Sequence, residues 1–422
     1  MNKFFDFIKK SPTPYQVTEA LRAELLEAGY TELFEGEAWN TEEGRGYFTA
    51  RHGTALIAFR TVASPSGIML SVSHSDSPTF KIKGDSEHCA AYTKLFTEKY
   101  GGMIMYSWLD RPLGVAGRLV VRTEDGVRLV NVDTERAVAT VPSISIHQNR
   151  TVNDGYKFNP AKDMLPIVGL GEGDSLLDLV AKKAGVGVNE IISHDLYLYV
   201  TDAPTRVGLS DELILSPRLD DLACVYACKE AFLSAKPSDS MPVLAVFDSE
   251  EVGSATVSGT DSTFLTDVLL RILGSERELV RLLSSSLAVS ADNAHARHPN
   301  FPELSDAKNA PILGGGTVIK YNSQKRYATD ALSAALFTEI CNKSGVRVQS
   351  YYNRADMQGG STVGAILNTR FAAPTVDIGL PQLAMHSAVE TAAACDLYNI
   401  QKALTAFYES SLEASGEQIK IK

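Results

Sequence analysis

From Leu209 onward, short apolar runs alternate with amphipathic stretches, and this alternation most limits what the chain can fold into. "SPRLDDLACVYACKEAFLSA" reads as a helix, "PVLAVFD" as a strand, "STFLTDVLLRILG" as a helix and "SLAVSAD" as a strand. "ALSAALFTEICNKSG" is then a helix, "RFAAPTVDIG" a strand and "SAVETAAACDLYNIQKALTAFYESS" a closing helix. Strands apolar at nearly every position need cover on both faces, and strands separated by helices pair in parallel. The pattern predicts an α/β fold with a mostly parallel sheet between helical layers, and places ligands at the carboxyl ends of its strands.

The first ninety or so residues add to that unit. A helix is read over "TPYQVTEALRAELLEAGY", with Ser11, Thr13 and prolines as start signals. Two strands come next around a turn at His52 and Gly53, and "SGIMLSVSHSDSP" holds a third. Between about Tyr92 and Arg206 the texture becomes β-rich: "GVAGRLVVRTEDGVRLVNV" is a hairpin pattern with Asp125-Gly126 at its turn. "GLGEGDSLLDLVAKKAGV" interrupts this region with a short helix. The expected organisation is a discontinuous α/β domain, 1–91 plus 207–422, carrying an inserted β-rich domain at 92–206.

Hydrophobic residues make up 44% and charged residues 22% of the 422, and no run reaches the ~18 apolar residues of a membrane span. Asp6 and the nearby lysines interrupt any signal-peptide core, so the expected location is cytoplasmic. Five scattered cysteines fit reduced thiols, and Cys224 and Cys228 fit small core residues on one helical face rather than a metal pair. A net charge of −11 argues against a nucleic-acid partner.

The chemistry gathers just beyond the strand ends. "IMLSVS" leads into His74 and Asp76, "VLAVF" into Asp248, Glu250 and Glu251, "LAVSA" into Asp292, and "TVDIG" into a loop reaching His386. Asp220 joins from the start of a helix, where a carboxylate is favoured. Each alone reads as a loop pair, an N-cap or an isolated polar residue. Gathered at one rim, the acids would repel one another unless cations held them. Imidazole and carboxylate without thiolate suit zinc, manganese or cobalt in a catalytic site. A pair of metals ~3.5–4 Å apart would use five protein ligands and leave one acid for proton transfer. Asp76, two residues beyond His74, suits the carboxylate that orients a metal-bound imidazole.

Taken in order, "SHSDSP", "SPRLDDL", "FDSEEVGS", "SADNAHARHPN", "VIKYNSQKRYA" and "AMHSAVE" resemble the aspartyl aminopeptidase family, peptidase family M18, of dinuclear zinc exopeptidases. The resemblance runs over nearly the whole chain. It implies a three-layer α/β/α zinc-exopeptidase-like catalytic domain with an inserted oligomerisation domain. It further implies that Asp220 bridges two zinc ions, with His74 and Asp292 on one, Glu251 and His386 on the other, and Glu250 as general base. It places a cis peptide at Asp220-Asp221. Lys320 would meet the side-chain carboxylate of an N-terminal Asp or Glu, and His147 would reach a neighbouring subunit's site. Self-association up to a tetrahedral dodecamer is implied as well. Two other readings remain open at this point: a metallo-carboxypeptidase or deacylase with the same cluster, and a metal-stabilised scaffold without catalysis.

Overall fold

The computed structural model describes every residue except Glu172 and Asp174. Those two belong to the stretch read as a short helix and lie outside the described residues. The helix itself spans Leu176–Ala184 and opens on a capping box between Ser175 and Asp178.

Nine strands form the main sheet: β1 Thr31–Glu32, β2 Gly46–Arg51, β3 Ala55–Arg60, β4 Ile68–His74, β5 Met241–Phe247, β6 Leu287–Ala291, β7 Thr317–Tyr321, β8 Val348–Tyr352 and β9 Thr375–Gly379. Their order across the sheet is β1-β2-β3-β5-β4-β6-β9-β7-β8. The four central strands β5, β4, β6 and β9 are mutually parallel and buried at every position. The flanks depart from the mostly parallel expectation. The hairpin β2–β3, turned at His52 and Gly53 with positive φ at both, pairs antiparallel to β5. β7 runs antiparallel to β9.

Strand alternation sends successive side chains to opposite cores. In β5, Leu244 and Val246 pack under the helices Asn2–Lys10, Pro14–Glu27, Leu219–Ser234, Ala331–Ser344 and Ala394–Tyr408. Val243 and Ala245 face Phe264–Leu273, Glu276–Leu283 and Val363–Arg370. The result is three layers, helix on sheet on helix. The start of the closing helix differs from expectation: Glu390–Ala393 is a strand paired with Leu213–Ser216, and the helix begins at Ala394. Only its partner, some 175 residues upstream in sequence, makes that segment extended.

A second, fully antiparallel sheet has the order Gly126–Asp133, Leu113–Thr123, Ile191–Val200, Thr79–Ile82 and Thr97–Tyr100. The chain therefore enters this sheet at Thr79 and not at residue 92. The alternation Thr79-Phe80-Lys81-Ile82 sends Phe80 and Ile82 into a separate apolar core with Trp108, Val115 and Leu196. The hairpin turn also sits one residue earlier than read, since Gly126 already pairs with Thr123. Among the described residues no helix is long and apolar enough to cross a membrane.

Candidate metal centre

The carboxyl ends of the central parallel strands meet at one rim, as parallel register requires. His74 is the last residue of β4 and lies opposite Phe247, the last of β5. Beyond Phe247, Ser249 takes left-handed backbone (φ 65), Glu250–Val252 form a 3-10 turn, and Gly253 (φ 98) releases the chain. This turn lets two adjacent glutamates serve one site, which an extended backbone forbids because it sends neighbouring side chains to opposite faces. Asp292 comes directly after β6, and His386, itself at φ 65, is reached from β9 by way of the short strand Pro381–Leu383. Asp220 enters from the start of Leu219–Ser234, directly after Arg218 at φ 56, and its peptide to Asp221 is cis. Left-handed non-glycine residues beside three of these groups are the kind of local strain that functional sites retain.

Asp220 stands between two imidazoles. Its Oδ1 lies 3.5 Å from His74 Nε2 and its Oδ2 lies 3.4 Å from His386 Nε2. Glu251 Oε1 is also 3.4 Å from His386 Nε2. The donor atoms form overlapping groups: His74, Asp220, Asp221 and Asp292; His74, Glu250 and Glu251; and Asp220, Glu251 and His386. These spacings are long for hydrogen bonds but match the ~3.4 Å edge of a tetrahedron drawn with ~2.1 Å metal–ligand bonds. Asp220 Oδ1, Asp221 Oδ1 and Glu251 Oε1 are buried and have no hydrogen-bond partner among the described residues. Buried acceptors left unpaired cost about 1–3 kcal/mol each. Cations coordinated there would remove that cost, so the residues present fit a metal centre.

The electrostatics agree. Burial pushes Glu250 up to about 8, and raises Glu251 and Asp221 well above the carboxylate range. Burial opposes the charge of His386, but Asp220 and Glu251 overcome it and lift the imidazole to about 10. His74 is raised likewise, burial being outweighed by Asp220 and Asp76. Without cations the cluster holds protons in their place.

Asp76 braces this side of the site. Its Oδ1 accepts the Glu250 N–H and its Oδ2 the Glu251 N–H, both at 3.1 Å, and Tyr100 Oη donates to Oδ2 at 2.8 Å. Its Oδ1 is 3.3 Å from His74 Nδ1. Lys320 reaches the rim from within the antiparallel strand β7. Its Nζ donates to the carbonyls of Asp292 (2.8 Å) and Asn293 (3.1 Å), and lies 5.2 Å from the Tyr327 ring centroid. Burial opposes its charge, yet Asp292 holds it protonated. His74, Asp220, Glu250, Asp292, Lys320 and His386 line one cavity of about 290 Å³.

His147 does not join them. It is exposed on a loop of the second sheet's domain, between the exposed Ile144 and Ile146 on one side and Gln148 on the other. Asp248 turns away toward Ser258, where burial raises it to about 7. Cys224 and Cys228 are buried, and no cysteine joins a metal-holding group among the described residues. Sequence reasoning about site roles missed Asp221, Tyr100, His295 and Glu390. Asp221 was visible as the neighbour of Asp220. His295 lines the same cavity and stands three residues beyond Asp292, Tyr100 comes to the site only through the fold, and Glu390 meets it by accepting the Asp220 and His386 backbone N–H groups.

A family model described as "Aminopeptidase I zinc metalloprotease (M18)" matches residues 7–408. The "Probable M18 family aminopeptidase 2" of Clostridium acetobutylicum is 40% identical over 425 residues, covering 96% of this chain and 98% of that one. Ape4, solved in its complex with Nbr1, superposes with a TM-score of 0.93 at 31% identity, over 97% of this chain and 85% of that one. The mApe1 dodecamer of S. cerevisiae gives 0.85 at 28% identity, over 97% and 96%.

Proposed function

The chain belongs to the M18 aminopeptidase family of zinc metalloproteases, and from that premise we propose that it is a two-metal aminopeptidase preferring acidic N-terminal residues. The observation that carries the reading is the placement of Asp220, one carboxylate oxygen facing His74 and the other facing His386. One site would be held by His74, Asp220 and Asp292, and the other by Asp220, Glu251 and His386. Bound divalent ions, zinc by family, supply Lewis acidity toward the scissile carbonyl and the attacking water. Family membership favours the aminopeptidase over the carboxypeptidase, deacylase and scaffold readings.

Glu250 lines the cavity without belonging to the group around Asp220 and His386. In this reading it takes a proton from the attacking water and returns it to the leaving amine. Asp76 holds the Glu250 and Glu251 backbone and orients His74. Lys320 spends two ammonium hydrogens on main-chain carbonyls. The third, which has only the Asp292 carboxylate at 3.5 Å, is the one offered to a substrate side-chain carboxylate, a charge-assisted contact in a buried cavity. His147 acts in trans: the exposed apolar residues Tyr92, Ile144, Ile146 and Leu170 of its domain give a self-association surface. That domain is accordingly read as the oligomerisation unit, with a dodecamer as the expected assembly and the cytoplasm as its location.

Hydrolysis rates across peptides differing only at the N-terminal residue, with and without chelator, test the whole reading. Rates highest for Asp and Glu and abolished by chelation are expected. Chelator-insensitive hydrolysis would end the metal reading, and equal rates for neutral residues would end the acidic preference.

A further inference from the structure

Glu390 is 2% exposed and is not among the groups that could hold a metal. Its two carboxylate oxygens each accept a backbone N–H from a separate metal-site residue: Oε2 from Asp220 at 2.9 Å and Oε1 from His386 at 2.7 Å. The arrangement mirrors that of Asp76, whose oxygens accept the N–H groups of Glu250 and Glu251. The contacts of Glu390 extend further. Gln382 Nε2 donates to Glu390 Oε1 at 3.4 Å, Asn293 Nδ2 donates to Gln382 Oε1 at 2.8 Å, and the same Nδ2 reaches the Leu219 carbonyl at 2.7 Å. Gln382 and Asn293 are both almost fully buried. Leu219 precedes Asp220 and Asn293 is next to Asp292, so the contacts close a ring through the segments that carry Asp220, Asp292 and His386.

We infer that Glu390 is a positioning residue for the metal centre: it fixes the Asp220 carboxylate against the His386 imidazole, and through Gln382 and Asn293 ties both to Asp292. The physical reason is acceptor count. Two backbone donors on different segments, one buried and one part-buried, need two fixed acceptors, and a carboxylate supplies both on one rigid group. A ring of buried, mutually satisfied polar groups resists displacement more than its contacts taken singly.

The inference rests on the two-metal reading, and its test separates the two. Zinc is titrated into the metal-free full-length protein against a chromophoric chelator, for the unmodified chain, Glu390→Gln and Gln382→Leu. Glutamine keeps one acceptor and turns an amide N–H2 toward the second backbone donor. Glu390→Gln should weaken at least one zinc-binding step by about 10- to 100-fold, the range for residues that orient metal ligands. The melting temperature of its metal-free form should fall by only a few degrees, for one backbone donor left without its acceptor, and added zinc should restore turnover. Gln382→Leu, which touches no ligand, should weaken the same step less. Unchanged zinc affinity in Glu390→Gln overturns the inference, as does a metal-free melting temperature that falls while zinc affinity holds. If the unmodified chain takes up one zinc only, the two-metal reading fails, and Glu390 is still judged by the affinity of that single step.

Discussion

Glu250 and Glu251 are adjacent acids with different surroundings. Glu251 points at His386, whereas Glu250 lines the cavity with Lys320. Glu250→Gln should therefore lower kcat by about 10²- to 10⁴-fold, the range for a positioned general base, with metal content unchanged. Steady-state kinetics and metal analysis of the same sample check this. Lys320→Met should reduce kcat/KM for an N-terminal Asp substrate on the order of 100-fold more than for an alanyl one, because only the former loses a charge-assisted contact. An equal fall on both substrates would assign Lys320 a structural role instead. Proton linkage gives a third expectation. Metal ligation requires neutral imidazole and ionised carboxylate, yet without metal His386 sits at about 10 and burial raises Glu251 well above the carboxylate range, so at pH 7 the site holds protons that zinc must expel. Zinc affinity should fall with decreasing pH by about tenfold per unit for each proton displaced. Calorimetry in buffers of different ionisation heat counts those protons, and zero release would refute the linkage.

At the scale of elements, the strands set where the side chains emerge and the turns set where they point. The parallel centre of the sheet was legible because β5 is apolar throughout and β4 and β6 are apolar at most positions, which suits a doubly covered strand, while β9 keeps Val376 and Ile378 around the buried Asp377. β7 and β8 were not, because "TVIKY" and "VQSYY" mix polar and apolar residues with no clear period. Glu390–Ala393 was read as helix because its composition suits one, and only pairing with Leu213–Ser216 makes it extended. Close approach at a turn yields a prediction. Gly101 has φ +73, and a Cβ there would lie 3.0 Å from Glu251 Cβ and 3.2 Å from its Oε2. Gly101→Ala should displace Glu251 and lower zinc affinity and turnover together, with near-native circular dichroism. Wild-type zinc affinity would show that the loop yields instead.

At the scale of the whole molecule, His147 supplies the sharpest test. It lies apart from its own chain's cavity, so His147→Phe and Glu250→Gln should each be nearly inactive, while co-assembled mixtures of the two should recover activity. In a mixture, sites with an intact Glu250 can receive an intact His147 from a neighbour. Absence of recovery in verified mixed oligomers would remove the role in trans. Ile144→Asp combined with Ile146→Asp should shift the chain toward smaller species by light scattering, since two exposed apolar side chains become charged.

The α/β class, the strands of the sheet centre and the rim on which the acids and imidazoles gather are written locally in the chain, because burial on both faces and strand period are local properties. The sequence also carried Asp76, His74, Asp220, Glu250, Glu251, Asp292, His386 and Lys320 in recognisable motifs. Tertiary structure alone decided that Asp220 faces both imidazoles, that Lys320 reaches the cavity from an antiparallel strand, and that Glu390 and Tyr100 brace the site. Those contacts join residues from 24 to 170 positions apart, and no local pattern encodes a meeting that depends on the packing of every element between.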